Sequence, residues 1–233
     1  MITGYDIIGD VHGHLPQLRA LCKMLGYDTP LTPPAHRRLV FVGDFADRGP
    51  ANLASILAVR DAVLDGRALA VLGNHDDALL KWLKGGEIPR KGGIEVTMAE
   101  IENAPNSAEL RRDLIRFFVM LPLVLHLDEG RLIVAHAGIE QPMLERALSL
   151  DDRKFILNGE KIGKRADGKT LRRDWALTYT GDAFIAYGHT PQDEIELRPN
   201  SANIDSGVYI TGTLTALRWP ERELVAVTGR AGE

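Results

Sequence analysis

An α/β fold built around parallel strands is what the sequence predicts, and two observations predict it. Short, almost continuously apolar segments recur along the chain, and amphipathic stretches with helical spacing separate the first three of them. Runs apolar on both faces suit strands covered from both sides. Alternation of strand and helix implies parallel strands joined by crossovers. The chain has 233 residues, 45% hydrophobic and 26% charged. That supports a core of ordinary size and matches a soluble globular composition.

The elements follow in order. The first strand is "YDIIG" (residues 5–9), followed by the helical stretch "LPQLRALCKML". The second is "RLVFVG" (38–43), followed by "ANLASILAVRDAVL", and the third is "ALAVLG" (68–73). Residues 85–121 break the alternation. A Gly-rich loop, "KGGEIPRKGG", precedes two helices, "IEVTMAEIENA" and "SAELRRDLIRFFVML", the second introduced by Ser107 with Glu109 in its first turn. This reads as a helical insertion, either a wall over the functional site or a remote cap. A fourth strand, "RLIVAH" (131–136), precedes a polar, basic stretch at 151–174 with little periodicity, which reads as a long functional loop or a small excursion. A fifth strand is "AFIAYGH" (183–189), and the tail carries strands separated by "WPER", a turn built on Pro220. No internal repeat interrupts the chain, and residues 1–233 read as a single domain.

Composition narrows the function classes. No run approaches the roughly 18 apolar residues of a membrane span. The start, "MITGYDIIGD", lacks a basic region followed by a long apolar stretch, so no signal peptide is expected. The single Cys22 leaves no internal disulfide and no Cys-based zinc site. It lies in a helical apolar pattern as a buried small hydrophobe. A cytoplasmic location is the expectation. The net charge of −4 argues against broad nucleic-acid binding, which depends on positive charge. Neither a membrane nor a stable nucleic-acid partner is expected.

The chemistry sits where the strands end. "GDVHG" carries Asp10 and His12, "GDFADRG" carries Asp44, Asp47 and Arg48, and "GNHD" carries Asn74, His75 and Asp76. "RLIVAHAG" ends in His136 and "AFIAYGHTP" in His189. Each fragment alone also reads as a salt-bridged loop, a capped turn or a structural histidine. Five in series, each behind its own apolar strand, point to one edge of an open parallel sheet, where ligands bind. Asp, Asn and His donors without thiolates suit Mn²⁺, Fe or Zn²⁺. Asp10 and His12, two apart on an extended segment, point the same way. Asp44, central in strand order, is the natural carboxylate to bridge a pair of cations, which together clamp a phosphoryl group. His14, His36 and His126 lack this context and read as structural, and Asp77, just after a helix start, reads as solvated.

The series "GDVHG … GDFADRG … GNHD … VAHAG … YGHTP" resembles the calcineurin-like metallophosphoesterase superfamily, in its phosphoprotein-phosphatase branch. The coverage runs from Asp10 to His189. "RRDWALTYTGDAFIAYGHTP" and "NIDSGVYITGTLTALRWPERELVAV" narrow it toward bacterial diadenosine tetraphosphatase-like phosphatases and the phosphatase module of bacterial polynucleotide kinase-phosphatase. The resemblance implies a β-sandwich flanked by helices, richer in β structure than the residue pattern alone. It implies two divalent metal ions, Mn²⁺ foremost, with Fe, Zn, Co or Ni as alternatives. Asp10, His12 and Asp44 match the first metal site, and Asp44, Asn74, His136 and His189 the second. Arg48 matches the phosphate-gripping arginine, which agrees with the bidentate preference of guanidinium. His75 matches the general acid, with Asp47 orienting it. Asp205, in "NIDSG", orients a ligand or His189, or is structural. A second phosphate-binding arginine does not align; Arg165, Arg172 and Arg173 in the basic stretch are its candidates, and "RRDW" also reads as a solvated turn.

The implied activity is in-line hydrolysis of a phosphoester or phosphoanhydride by a hydroxide held between two cations, with His75 protonating the leaving group. The implied substrates are dinucleoside polyphosphates such as diadenosine tetraphosphate. The alternatives are a protein serine/threonine or tyrosine phosphatase acting on phosphoprotein, an RNA-end 2′,3′-phosphatase or phosphodiesterase, and a non-catalytic metal-dependent binding module.

Overall fold

A computed structural model of the chain describes residues 2–27, 31–34, 36–164, 168 and 170–229. In chain order its elements are β1 (Gly4–Ile8), α1 (Leu15–Met24), β2 (Arg37–Phe41), α2 (Asn52–Leu64), β3 (Ala68–Ala70), α3 (Asn74–Leu83), α4 (Ile94–Glu102), α5 (Ser107–Met120), β4 (Val124–Leu127), β5 (Leu132–Ala135), α6 (Gln141–Leu144), α7 (Leu150–Asn158), β6 (Lys161–Lys164), β7 (Thr170–Arg172), β8 (Phe184–Tyr187), β9 (Ser201–Asn203), α8 (Val208–Thr211), β10 (Thr213–Trp219) and β11 (Glu223–Thr228).

Two sheets form the centre. One has the order β11-β10-β1-β2-β3 and the other β4-β5-β8-β9. In the first, β1, β2 and β3 are parallel, and the β10–β11 hairpin adds two antiparallel strands. In the second, β5, β8 and β9 are parallel and β4 is antiparallel to β5. The apolar strands need cover on both faces, and the period-two alternation of side chains shows how they get it. Ile7, Val40 and Leu217 of the first sheet meet Leu132, Val134, Phe184 and Ala186 of the second in one core between the sheets. Their neighbours Ile8, Leu39, Phe41 and Ala216 face the other way, into a layer made by α1 to α5. On the far side, Ile133, Ala135, Ile185 and Tyr187 pack against Met143, Ile156 and Trp175. The result is a β-sandwich with a helical layer on each side.

Three features differ from the pattern reading. The sheet is divided in two, because the β4–β5 hairpin starts a new sheet that residue patterning alone does not register. Residues 151–174 are not one loop: α7 fills their first third and the β6–β7 hairpin follows. The start of α7 was written in the sequence as Ser149 and Asp152, which form a reciprocal capping box. Finally, the helices of 85–121 are not remote from the rest, since Ile94, Met98, Leu114 and Phe117 join the main helical core. No described helix is long and apolar enough to cross a membrane.

Midway along β1, Asp6 is fully buried. It accepts hydrogen bonds from Arg37 Nε and Nη2 (both 2.9 Å), Arg218 Nε (3.0 Å) and the Tyr27 hydroxyl (2.7 Å). This carboxylate ties β2, β10 and the segment after α1 to the central strand. Removing one partner of a buried pair strands the others, so Asp6→Ala lowers the unfolding free energy by about 3–5 kcal/mol, read from urea denaturation.

Candidate active site

The parallel strands of both sheets end at one edge, and the loops leaving β1, β2, β3, β5, β8 and β9 carry the side chains named above. The loops are held in uncommon backbone conformations. His12, Asp44, Asp47, Arg48 and His189 all have positive φ, at 42°, 53°, 70°, 69° and 74°. Each such residue costs of order 1–3 kcal/mol and persists only where its surroundings over-determine it. Here they do. The carboxylate of Asp76, third residue of α3, accepts from the backbone N–H of Asp44 (2.8 Å), Phe45 (3.2 Å) and Gly73 (3.0 Å). The Asp44 carbonyl in turn accepts from His12 N (2.9 Å). Gly73 must be glycine, because a Cβ there would stand 2.2 Å from Asp44 Oδ1.

Backbone carbonyls fix the histidine tautomers. A carbonyl only accepts, so the ring nitrogen facing it carries the proton. His12 Nδ1 donates to Ala46 O (2.9 Å), His136 Nδ1 to Val42 O (2.8 Å) and His189 Nε2 to Asn158 O (3.1 Å). The second nitrogen of each ring is therefore a bare lone pair. His136 Nε2 and His189 Nδ1 lie 3.1 Å apart, and Asn74 Oδ1 lies 3.0 and 2.8 Å from them. Asp44 Oδ1 is anchored by the N–H of His75 (2.9 Å), while Oδ2 stands 3.5 Å from His136 Nε2 and 3.7 Å from His12 Nε2. Lone pairs packed this closely, with no proton between them, repel unless a cation lies among them. Two ligand groups share Asp44: one with His136 and His189, the other with His12 and His75. The donor set is nitrogen and oxygen without sulfur, which suits Mn²⁺, Fe, Zn²⁺ and their neighbours. The residues fit a pair of divalent ions.

Electrostatics agree. Asp10 is buried, its carboxylate against Gly188 and the His189 N–H (3.1 and 3.2 Å). Burial, then Asp205 and Asp44, hold it well above the usual carboxylate range. Asp205 is raised to about 7, first by burial and then by Asp44. One of its oxygens accepts from Gly207 N (2.8 Å) and the other, buried, has no partner. Burial and Asp44 push Asp76 up to about 8 against its three N–H donors. Burial works against ionisation of Asp44 too, but His136, His75, His12 and His189 outweigh it and hold that carboxyl below its ordinary range. Burial lowers His12 to about 3 and depresses His136 and His189, keeping all three rings neutral as ligands must be.

Beside this pit, His75 Nδ1 meets Asp47 Oδ2 at 2.5 Å, and Asp47 Oδ1 accepts from Thr97 Oγ1 at 2.5 Å. Burial opposes a proton on His75, yet Asp44 and the Asp47 hydrogen bond raise it overall. Arg48 reaches across both rings, donating to His12 Nε2 (3.2 Å) and His75 Nε2 (2.9 Å), with its guanidinium 4.2 Å above the ring of Tyr209. Arg172 approaches from the other flank. Its Nε donates to Asn158 O (2.8 Å), the carbonyl that also holds His189, and its charge helps depress His136 and His189. Arg173 instead pairs with Glu140 (2.6 Å) and Glu160. Arg165 lies outside the described residues. His14 donates to the His12 carbonyl (2.7 Å), His126 is exposed, and Asp77 pairs with Arg153.

Several contributors were not read from the sequence. Thr97, on α4, is 50 positions from Asp47, and no local pattern links them. Gly92 and Gly93 close the wall: a Cβ at Gly93 would stand 2.6 Å from Arg48 N, and one at Gly92 3.2 Å from His75 Cε1. Asp76 had a signal, an acidic third residue after a Gly N-cap. Tyr209, two residues past Gly207, had none.

Comparison with known proteins follows the same lines. The family model for calcineurin-like phosphoesterases matches residues 5–211. The chain is 43% identical over 230 residues to a bis(5′-nucleosyl)-tetraphosphatase PrpE [asymmetrical] of Anoxybacillus flavithermus, covering 96% of this chain and 93% of that one. It is 42% identical over 233 residues to the protein of the same name in Bacillus thuringiensis, with the same coverage. A crystal structure of a protein named as a diadenosine tetraphosphatase shares the fold at a TM-score of 0.72 and 24% identity, covering 98% and 95% of the two chains.

The raised carboxyls give a test of the cation pit. Asp205 at about 7 and Asp76 at about 8 hold protons in the folded chain that the unfolded chain has released. Metal-free protein therefore loses stability as pH rises from 6.5 to 8. The depressed histidines act in the opposite sense only below their ordinary value of 6.5. Urea midpoints in chelator at both pH values show the loss, and saturating Mn²⁺ flattens it.

Proposed function

The chain belongs to the calcineurin-like phosphoesterase family and is a hydrolase of phosphoester and phosphoanhydride bonds; from that premise we propose that its substrates are dinucleoside polyphosphates such as diadenosine tetraphosphate. The observation that carries the reading is the placement of Arg48 and Arg172 on two flanks of one pit of converging lone pairs. Two guanidinium groups at that placement suit consecutive phosphates better than a single phosphoryl group. The names of the 41–43% identical relatives support the same choice. We read residues 1–233 as one domain, Mn²⁺ as the resident metal and the cytoplasm as the location. The N/O donor set supports the first of the last two, and the single buried thiol of Cys22 the second.

Asp10, His12 and Asp44 hold one cation in this reading, and Asp44, Asn74, His136 and His189 the other. When bound, the pair supplies Lewis-acid charge and a hydroxide nucleophile at neutral pH. The side chains do the rest. Arg48 lies within hydrogen-bonding reach of the imidazoles of His12 and His75. An arriving phosphoryl group offers it oxyanion oxygens instead, and the Tyr209 ring keeps the guanidinium plane fixed through the exchange. Once Arg48 leaves His75 Nε2, that nitrogen is free to carry a proton to the leaving oxygen. Asp47 holds the imidazole by its other nitrogen and stabilises the charged form, and Thr97 holds Asp47. Arg172, rather than the ion-paired Arg173, takes the second phosphate. Asp205 is coupled electrostatically to Asp10, so a cation bound in the pit favours the ionised form of both carboxyls.

Asp44→Asn abolishes both turnover and tight Mn²⁺ binding. His75→Ala lowers kcat on diadenosine tetraphosphate by roughly 10²–10⁴-fold while calorimetry still shows bound metal, the range of a lost general acid. Wild-type kcat/KM for a phosphopeptide exceeding that for diadenosine tetraphosphate by orders of magnitude would overturn the substrate assignment. Tyr209→Ala weakens inhibition by inorganic phosphate by about fivefold, the equivalent of about 1 kcal/mol of cation–π contact, and Tyr209→Phe preserves it.

A further inference from the structure

Next to the second ligand group lies a cavity of about 250 Å³, bounded on one side by His189 and Arg172. Trp175 and Tyr187 line it with aromatic surface, their ring centroids 4.9 Å apart. The indole is fixed, since its Nε1–H donates to Ala137 O (3.0 Å) and its ring fills the space that a Cβ on Gly138 would need. Gln192 and Asn203 add amide groups to the lining.

The charges of this cavity decide what it suits. Arg173 is neutralised by Glu140 and Glu160. Arg198 is gripped by Asp174 through two hydrogen bonds (3.0 and 2.8 Å) and by Glu196 (3.3 Å). Of the three arginines lining the cavity, only Arg172, at the end shared with His189, has no carboxylate partner among the described residues. The cavity therefore offers one open positive charge at the metal end and, beyond it, an aromatic and amide-lined interior where carboxylates, Glu194 included, outnumber the arginines. A third phosphate gains little in that interior, and an acidic peptide gains less. A neutral ring system with hydroxyls and hydrogen-bonding edges fits its chemistry, with rim carboxylates available to ribose hydroxyls.

We propose that this cavity is a nucleoside subsite, which receives one nucleoside end of the polyphosphate chain after Arg172 has taken the adjoining phosphate. The assignment rests on the dinucleoside polyphosphate reading above and adds to it the residues that recognise the non-reacting end. Binding energy gained there, remote from the reacting phosphorus, distinguishes a nucleotide substrate from a simple phosphate ester.

The test uses two substrates, diadenosine tetraphosphate and p-nitrophenyl phosphate, and two variants of full-length, Mn²⁺-loaded enzyme. Gln192→Trp fills the cavity, whereas Gln192→Ala removes the same amide without filling it. The ratio of kcat/KM for the dinucleotide to that for the nitrophenyl ester is expected to fall about tenfold or more in Gln192→Trp and less than about threefold in Gln192→Ala, in the range by which pocket shape discriminates. An unchanged ratio in Gln192→Trp, or an equal fall in both variants, overturns the subsite. Should Gln192→Trp fail to fold, wild-type enzyme is assayed with adenosine as inhibitor of diadenosine tetraphosphate hydrolysis. Competitive inhibition at millimolar adenosine supports the subsite, and none overturns it. Wild-type turnover of the nitrophenyl ester but of no dinucleoside polyphosphate would instead sink the underlying substrate reading.

Discussion

Negative charge and bare lone pairs, gathered where water has little access, are the constraint around which this molecule is arranged. Asp10, Asp44, Asp76 and Asp205 are all buried at one sheet edge with three neutral imidazoles. Left alone, such a set drives its carboxyls to take up protons, as the upward shifts of Asp10, Asp76 and Asp205 show. Asp44 escapes because histidines surround it. The protein holds this set together by placing it at strand tips whose roots lie in two apolar cores. The folding energy of those cores offsets the strain of five left-handed backbone positions.

Two sheets, rather than one, make the convergence possible. His12, Asp44 and Asn74 arrive from the first, and His136 and His189 from the second. The core between the sheets sets their separation, with Ile7 and Val40 facing Val134 and Ala186. Side chains alternate along each strand, so the residue that fills the sandwich and the residue that fills a helical layer are always adjacent. The spacing of the candidate ligands thus depends on ordinary packing several residues away from any of them.

Much of this was legible in the sequence. The apolar runs marked the strands, and the polar residues after them marked the candidate site, because strand and polar side chain are contiguous in each motif. What was not legible is whatever depends on long-range approach. The division into two sheets turns on a β4–β5 pairing that any amphipathic hairpin would allow. Thr97 reaches Asp47 from a helix whose own pattern declares only a buried face. The three candidate arginines looked alike in "KRADGKTLRRDW". Only the fold distinguishes Arg172, directed at Asn158 and the histidines, from Arg173, engaged by Glu140 and Glu160. The capping box of α7 was present in the letters, but a polar composition masked it.

The end of α7 has a thermodynamic corollary. One carbonyl, that of Asn158, receives both His189 Nε2 and Arg172 Nε. Gly159 follows it at a φ of 62°, a conformation that suits glycine and sets the direction of that carbonyl. A cation that draws His189 inward and an anion that draws Arg172 outward act on the same peptide group. Where occupancy of one locus shifts that carbonyl, linkage makes its influence on the other mutual and equal in free energy. A single shared oxygen thus joins the candidate ligand His189 to the guanidinium beside it.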